Sequence, residues 1–273
     1  MKGLAVGAFL WLVAYALTAS AQSQDDAARL APAQGAIDRG DFVQAIDALR
    51  PLAEQNVLQA QFLLGLALER APSTLAQPTE AFGWYLKAAT AGHPAAQNNL
   101  GAMYFDGRGT ASNAVEAARW YRAAAEQNYM IAQYNLALMY ARGRGVAKDN
   151  AEMAKWMQKA AMAGLPAAQA GYGEFVLNGL GVKRDPTEAA RWFLYAANQR
   201  HSGAQYLVGL MLQKGVGLER DLAASHGWLL RSAEGGNRNA MQELSKIYEL
   251  GLGVVSDAGE ARRWRDKSGF DKK

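Results

Sequence analysis

The sequence contains no cysteine. That excludes disulfides, a lipid-bearing N-terminal cysteine and any paired-cysteine motif, so the chain holds together by packing alone. Histidine is almost as scarce, with only His93, His201 and His226. No His-Glu-x-x-His, Gly-x-Ser-x-Gly or Ser-x-x-Lys pattern occurs, which removes the common motifs of metallo- and serine hydrolases. Runs of like charge are missing too. The formal charge of +4 falls to +3 once Lys2 is set aside, and it is spread along the chain. The densest basic stretch is Arg262-Arg263-Trp264-Arg265-Asp266-Lys267. Nothing resembles the Lys/Arg blocks of nucleic-acid or lipid patches.

Only one long apolar run exists, Leu4 to Leu17. It follows the positive Lys2 and precedes Ala19-Ser20-Ala21, an A-x-A cleavage pattern, and then polar residues 22–26. This reads as a secretory signal peptide over residues 1–21, with cleavage after Ala21. The alternative is an uncleaved anchor, but the run falls short of the ~20 residues a spanning helix needs. The expected address is periplasmic or secreted, with no stable membrane anchor after cleavage.

What the chain has in quantity is periodicity. Trp84, Trp120, Trp156, Trp192, Trp228 and Trp264 follow one another at intervals of 36 residues. Such a period means a stacked array sharing one continuous core. An Ala-Gln pair recurs in the same register at 60/61, 96/97, 132/133, 168/169 and 204/205, and becomes Ala240-Met241. A small residue follows the Gln by four: Gly65, Gly101, Ala137, Gly173, Gly209 and Ser245. Glycine inside a helix costs about 1 kcal/mol relative to alanine. Its recurrence therefore predicts a close approach by the partner helix.

Gly-x-Gly closes the first helix in five of the units, beginning at Gly107, Gly143, Gly179, Gly215 and Gly251. The first glycine suits a left-handed stop and the second lets the chain reverse. No P-loop Lys-Ser/Thr follows, so these are turns and not phosphate cradles. Asn113, Asp149, Asp185, Asp221 and Asp257 then begin the second helices. Four of them have Glu three residues on, which predicts capping boxes. The tryptophans fall on the second helices between alanines and are expected in the core. Ahead of the array, residues 22–56 read as a helical hairpin. Its first helix is interrupted at Pro32, and Ala48 stands in the Trp register.

The unit Ala96-Gln97-Asn98-Asn99-Leu100-Gly101-Ala102-Met103-Tyr104 through Glu116-Ala117-Ala118-Arg119-Trp120-Tyr121 resembles the Sel-one-like repeat, the 36-residue relative of the tetratricopeptide repeat. Six such units cover residues 57–270, followed by a short tail at 271–273. The resemblance implies an all-α fold, a right-handed α-α superhelix of about seven helix hairpins. It also implies a non-enzymatic scaffold or adaptor, often in an envelope or secretory compartment, where bacterial relatives act in signalling or envelope assembly. The concave face would be lined by the first helix of each pair. Carried over unit by unit, the groove candidates are Gln59, Phe62, Arg70, Asn98, Phe105, Asp106, Tyr134, Arg142, Glu174, Asn178, Tyr206 and Lys214, with Glu69, Lys246 and Glu249 beside them. The charged members divide evenly in sign, which argues against nucleic acid.

No catalytic, cofactor or metal site is expected. His93 and His201 share one repeat position but stand three repeats apart, too far to share a metal at ~2 Å. His226 reads as a helix-surface residue. A protein partner is the leading reading. A glycan or peptidoglycan binder using the aromatics is the alternative, and a cell-wall or β-lactam hydrolase comes after that.

Overall fold

The computed structural model describes residues 25–74 and 76–269. The expected signal peptide, residues 22–24, Leu75 and the last residues, 270–273, lie outside the described residues. Fourteen helices and no strand occur among the described residues. They are α1 (residues 25–39), α2 (Phe42–Glu54), α3 (Leu58–Arg70), α4 (Pro78–Thr90), α5 (Pro94–Asp106), α6 (Ala114–Glu126) and α7 (Met130–Arg142). Then come α8 (Asn150–Met162), α9 (Pro166–Asn178), α10 (Pro186–Asn198), α11 (Ser202–Lys214), α12 (Leu222–Glu234), α13 (Arg238–Leu250) and α14 (Ala258–Ser268). They form two compact units that part between Ala124 and Ala125. In the first, α2 packs on α3, α3 on α4 and α4 on α5. In the second, each helix from α7 to α14 packs on the next. Packing between chain neighbours is the pattern of an all-α repeat solenoid, as the sequence predicts.

The interruption expected at Pro32 does not occur: residues 25–39 run as one helix. Leu30, Ala33, Ala36 and Ile37 are buried on both sides of the exposed Pro32. Burial of that stripe outweighs the local penalty of roughly 3 kcal/mol for an interior proline.

Helix boundaries follow the sequence signals. Asp149 accepts from the Ala151 and Glu152 backbone N–H groups, and Asp185 from those of Thr187 and Glu188. Asn113, Asp221 and Asp257 cap in the same way. These side chains satisfy donors that a helix start leaves unpaired. At the other end Gly107, Gly143, Gly179, Gly215 and Gly251 hold φ between 63° and 72°. That left-handed conformation is disfavoured for any residue with a Cβ.

The capping-box acid has a different job from the one expected. Glu152 and Glu188 accept the indole N–H of Trp156 and Trp192 at 2.9 and 3.2 Å, and Glu80, which follows Gln77 rather than a capping Asp or Asn, accepts that of Trp84 at 3.1 Å. Glu116 and Glu260 instead pair with Arg119 and Arg263. Correspondingly, the buried indole nitrogens of Trp120 and Trp264 have no hydrogen-bond partner among the described residues.

The tryptophans stand at the edge of the core. Trp84, Trp120, Trp156 and Trp264 are buried, but Trp192 and Trp228 are only half-buried, a correction to the core expectation. A cation three residues on lies over the ring in four units, Lys87 at 3.9 Å, Lys159 at 4.4 Å, Arg231 at 4.8 Å and Lys267 at 4.6 Å, while over Trp120 it is the preceding residue, Arg119, at 4.3 Å. Such a roof desolvates the ring face and adds cation–π attraction.

The deepest side chains are the residues after the tryptophans. Tyr85, Phe193 and Leu229 are 0% exposed. Each presses on the small residue of the preceding helix. A Cβ on Gly65 would come within 2.8 Å of the Tyr85 ring, on Gly101 within 2.9 Å of Tyr121, and on Gly173 within 2.8 Å of Phe193. On Gly209 it would meet Leu229 at 2.7 Å.

Trp156→Ala should lower unfolding free energy by about 3–5 kcal/mol, the usual cost of emptying a buried large ring. Chemical denaturation measures it. A loss under about 1 kcal/mol would place this tryptophan outside the packing.

Candidate interaction surface

In each repeat the first helix places its third, fourth, seventh and eighth residues inward. In α9 these are Ala168, Gln169, Tyr172 and Gly173, all buried. The second, ninth and twelfth residues share the other face, with the fifth at its edge, buried at Asn98 and Ala170. Most of the candidates predicted from the sequence stand at these positions or at the thirteenth, beside the helix end.

In the first unit the candidates are largely engaged with the protein itself. Asn98 is 6% exposed and donates to Asn99 Oδ1 at 3.2 Å, so it is not an open groove residue. The side chain is enclosed and its amide is spent on its chain neighbour Asn99. Phe62 is half-buried and stacks on His93 at 4.5 Å, while Gln59 pairs with His93 Nε2 at 2.9 Å. Glu69 accepts the Tyr85 hydroxyl at 2.7 Å and pairs with Arg108, which also pairs with Asp106 at 3.3 Å. Burial together with the Glu69 charge drives the Tyr85 phenol far above its ordinary value. Burial and Asp106 push Tyr121 up to about 12. Phe105 is half-buried and Arg70 is exposed without an ion pair among the described residues.

The second unit keeps more of its candidates open. Arg142, Glu174, Asn178 and Lys214 are exposed, and Tyr134 and Tyr206 half-buried. Asn178 donates to the Glu174 carbonyl of its own helix at 2.9 Å. Tyr206 packs against the cluster of Leu229, Leu244 and Ile247 and so contributes to stability as well as surface. Lys246 pairs with Glu243 and Glu249 with Arg265, each at 3.3 Å.

Three structural roles were not assigned from the sequence. The glutamine of the Ala-Gln pair is buried and donates to the end of the preceding helix pair. Gln61 reaches Ala53 O, Gln97 Ala89 O, Gln133 Ala125 O, Gln169 Ala161 O and Gln205 Ala197 O, at 3.1–3.3 Å. A buried amide recurring between apolar positions was the available signal. His93 and His201 are helix caps, with Nδ1 accepting from Ala96 N at 3.2 Å and Ala204 N at 3.1 Å. Their shared repeat position just before a first helix was the clue. His226 is half-buried and bonds the Tyr248 hydroxyl at 3.0 Å, so it is not a plain surface residue.

Among the described residues no cluster of His, Asp or Glu could hold a metal ion, and no helix is long and apolar enough to cross a membrane. The Sel1 repeat model matches residues 58–93, 94–129, 131–165, 166–201, 202–237 and 238–266. The chain belongs to the Sel1 repeat family. Sel1 repeats form a non-catalytic fold that mediates protein–protein interaction. A Sel1 repeat protein of Oxalobacter formigenes is 33% identical with a TM-score of 0.77, over 88% of this chain and 96% of that one. A protective antigen of uropathogenic Escherichia coli with an SLR fold is 32% identical with a TM-score of 0.82. The match covers 93% of this chain but only 56% of the E. coli protein's length. No curated protein matches the chain.

The histidine cap generates a pH prediction. Burial holds the His93 imidazole below its ordinary value, so the folded state favours the neutral ring that accepts the Ala96 N–H. A depressed histidine contributes stability at neutral pH and loses it as pH falls below the unfolded value of about 6.5. Between pH 7 and 5, His93→Asn should lose less stability than the parent, because asparagine caps without titrating. Equal losses in denaturant melts would remove His93 as the titrating cap.

Proposed function

We propose that this chain is a non-enzymatic scaffold of the cell envelope or cell exterior that binds a protein partner through the free faces of its first helices. The observation that carries the reading is a set of first-helix side chains in the second unit: Arg142, Glu174 and Lys214 are exposed with no ion pair among the described residues, and Tyr134 and Tyr206 are half-buried. Tyrosine and arginine at partly desolvated positions are the common anchors of protein interfaces. An envelope address rests on Lys2, the apolar run and Ala19-Ser20-Ala21. The protective-antigen description of the E. coli relative supports an exported location. Within the envelope the scaffold would regulate a signalling or assembly system.

Replacement of Tyr134, Tyr206 and Arg142 by alanine tests this. The variant should stay folded, with a modest stability loss at Tyr206. It should lose the partner captured by the parent from an envelope extract, since a few such anchors carry most interface energy. Undiminished capture would move binding to the loops or the second helices. Selective binding of the parent to purified cell-wall sacculi would favour a glycan ligand instead.

A further inference from the structure

One tryptophan of the repeats is left without a roof. A cation lies over the ring of Trp84, Trp120, Trp156, Trp228 and Trp264, at 3.9–4.8 Å. Trp192 has none among the described residues, although Arg191 precedes it as Arg119 precedes Trp120. At the place of Lys87, Lys159, Arg231 and Lys267 stands Tyr195. Its ring centre is 5.7 Å from that of Trp192 and inclined at 66°, so it borders the indole and does not lie flat on it. Tyr195 is 56% exposed and Trp192 half-buried. The buried Tyr172 backs the indole, perpendicular to it at 5.4 Å.

The carboxylate of this repeat differs too. Glu188 accepts the Trp192 indole N–H at 3.2 Å. Its counterparts Glu80, Glu116, Glu152 and Glu260 are each in an ion pair, with Arg50, Arg119, Lys155 and Arg263. Neither Glu188 nor Arg191 is in one among the described residues. The equivalent cations on α8 and α12, Lys159 and Arg231, lie over their own tryptophans. Glu188, Arg191, Trp192 and Tyr195 follow the i, i+3, i+4, i+7 spacing of a single helix face. An open corner of two aromatic rings thus shares its face with an unpaired carboxylate and an unpaired guanidinium.

Those two charges decide what fits. Glu188 favours a cation that Arg191 opposes, and an anion meets the reverse. An apolar side chain would cover both charged groups without satisfying either. A neutral ring with an apolar face and a polar rim satisfies the rings and the charges together. A carboxylate only accepts and a guanidinium only donates. An acetamide offers N–H to the one and C=O to the other. We infer that this face of α10 binds an N-acetylated hexosamine ring of a β-linked glycan. The C–H face of the sugar lies on the indole against Tyr195. Its acetamide N–H donates to Glu188, and Arg191 donates to its acetamide carbonyl. A β linkage is equatorial and leaves that C–H face unobstructed. The site is on a second helix and does not use the first-helix face.

The test is NMR titration of the indole N–H signals, with Trp192 assigned from Trp192→Phe. The probes are three β-linked trimers, of N-acetylglucosamine, glucose and protonated glucosamine. The N-acetylglucosamine trimer should shift the Trp192 signal, with a Kd on the order of 1 mM for so shallow a site. The glucose trimer should bind at least roughly threefold more weakly, and the cationic trimer more weakly than the acetylated one. Tyr195→Lys restores the roof of the other repeats. It should melt close to the parent and bind the acetylated trimer at least roughly tenfold more weakly. The Tyr134→Ala/Tyr206→Ala/Arg142→Ala variant should bind that trimer as the parent does, which separates this site from the first-helix reading. No Trp192 shift at roughly 20 mM acetylated trimer, equal or tighter binding of the cationic trimer, or binding indifferent to Tyr195→Lys would overturn the inference. Equal binding of the glucose trimer would overturn its acetamide part.

Discussion

The structure depends on the contact between a large side chain and a missing one. Tyr85, Tyr121, Phe193 and Leu229 each occupy the space where Gly65, Gly101, Gly173 and Gly209 have no side chain. In the final unit Ser245 takes the place and donates to Ala261 O at 2.8 Å. This seat sets how closely the two helices of a pair approach. It also fixes the rotation of the first helix, and with it which residues face outward. The tryptophan one residue earlier is turned by about 100° from the seated side chain. It therefore falls at the core's edge, where a carboxylate can take its N–H and a cation can lie over its ring.

Coupling between repeats comes from two further recurring contacts. The glutamine adds a second donor to a helix-end carbonyl that also accepts a backbone N–H, as Ala53 O does from Asn56 and Ala89 O from Gly92. The second glycine of Gly-x-Gly lets the turn touch the preceding pair: a Cβ on Gly109 would collide with the Pro78 carbonyl, and on Gly181 with that of Asn150. Both use backbone groups, which every repeat supplies, so they leave the outward positions free to vary. Position five runs Phe62, Asn98, Tyr134, Ala170, Tyr206, Gln242 through the six repeats. Asn98 and Ala170 are buried there and the other four half-buried, so this position varies at the edge of the packing while the repeated contacts stay fixed.

Much of the fold was legible because its determinants recur. The 36-residue tryptophan spacing, the capping aspartates and the glycine stops all marked their elements correctly. Pro32 was misread because local propensity ignores the buried stripe of Leu30, Ala33, Ala36 and Ile37. The glutamates after the caps were assigned to capping boxes, since the spacing to the tryptophan indole is not a local backbone rule. The surface was less legible. Asn98 looked like a groove residue by register but is buried, while Glu69 and Asp106 are taken up by Arg108 from the following loop. A position on a helix face can be read from spacing, but pairing across helices cannot.

A double-mutant cycle on Gly173 and Phe193 measures the seat directly. By helix propensity alone Gly173→Ala should stabilise a mid-helix position by about 1 kcal/mol. Crowding against the Phe193 ring should instead make it destabilising, by about 1–3 kcal/mol. In the Phe193→Val background the same change should become neutral or favourable, a coupling on the order of 1 kcal/mol or more in denaturant melts. A stabilising Gly173→Ala, or changes at the two sites that simply add, would contradict the account.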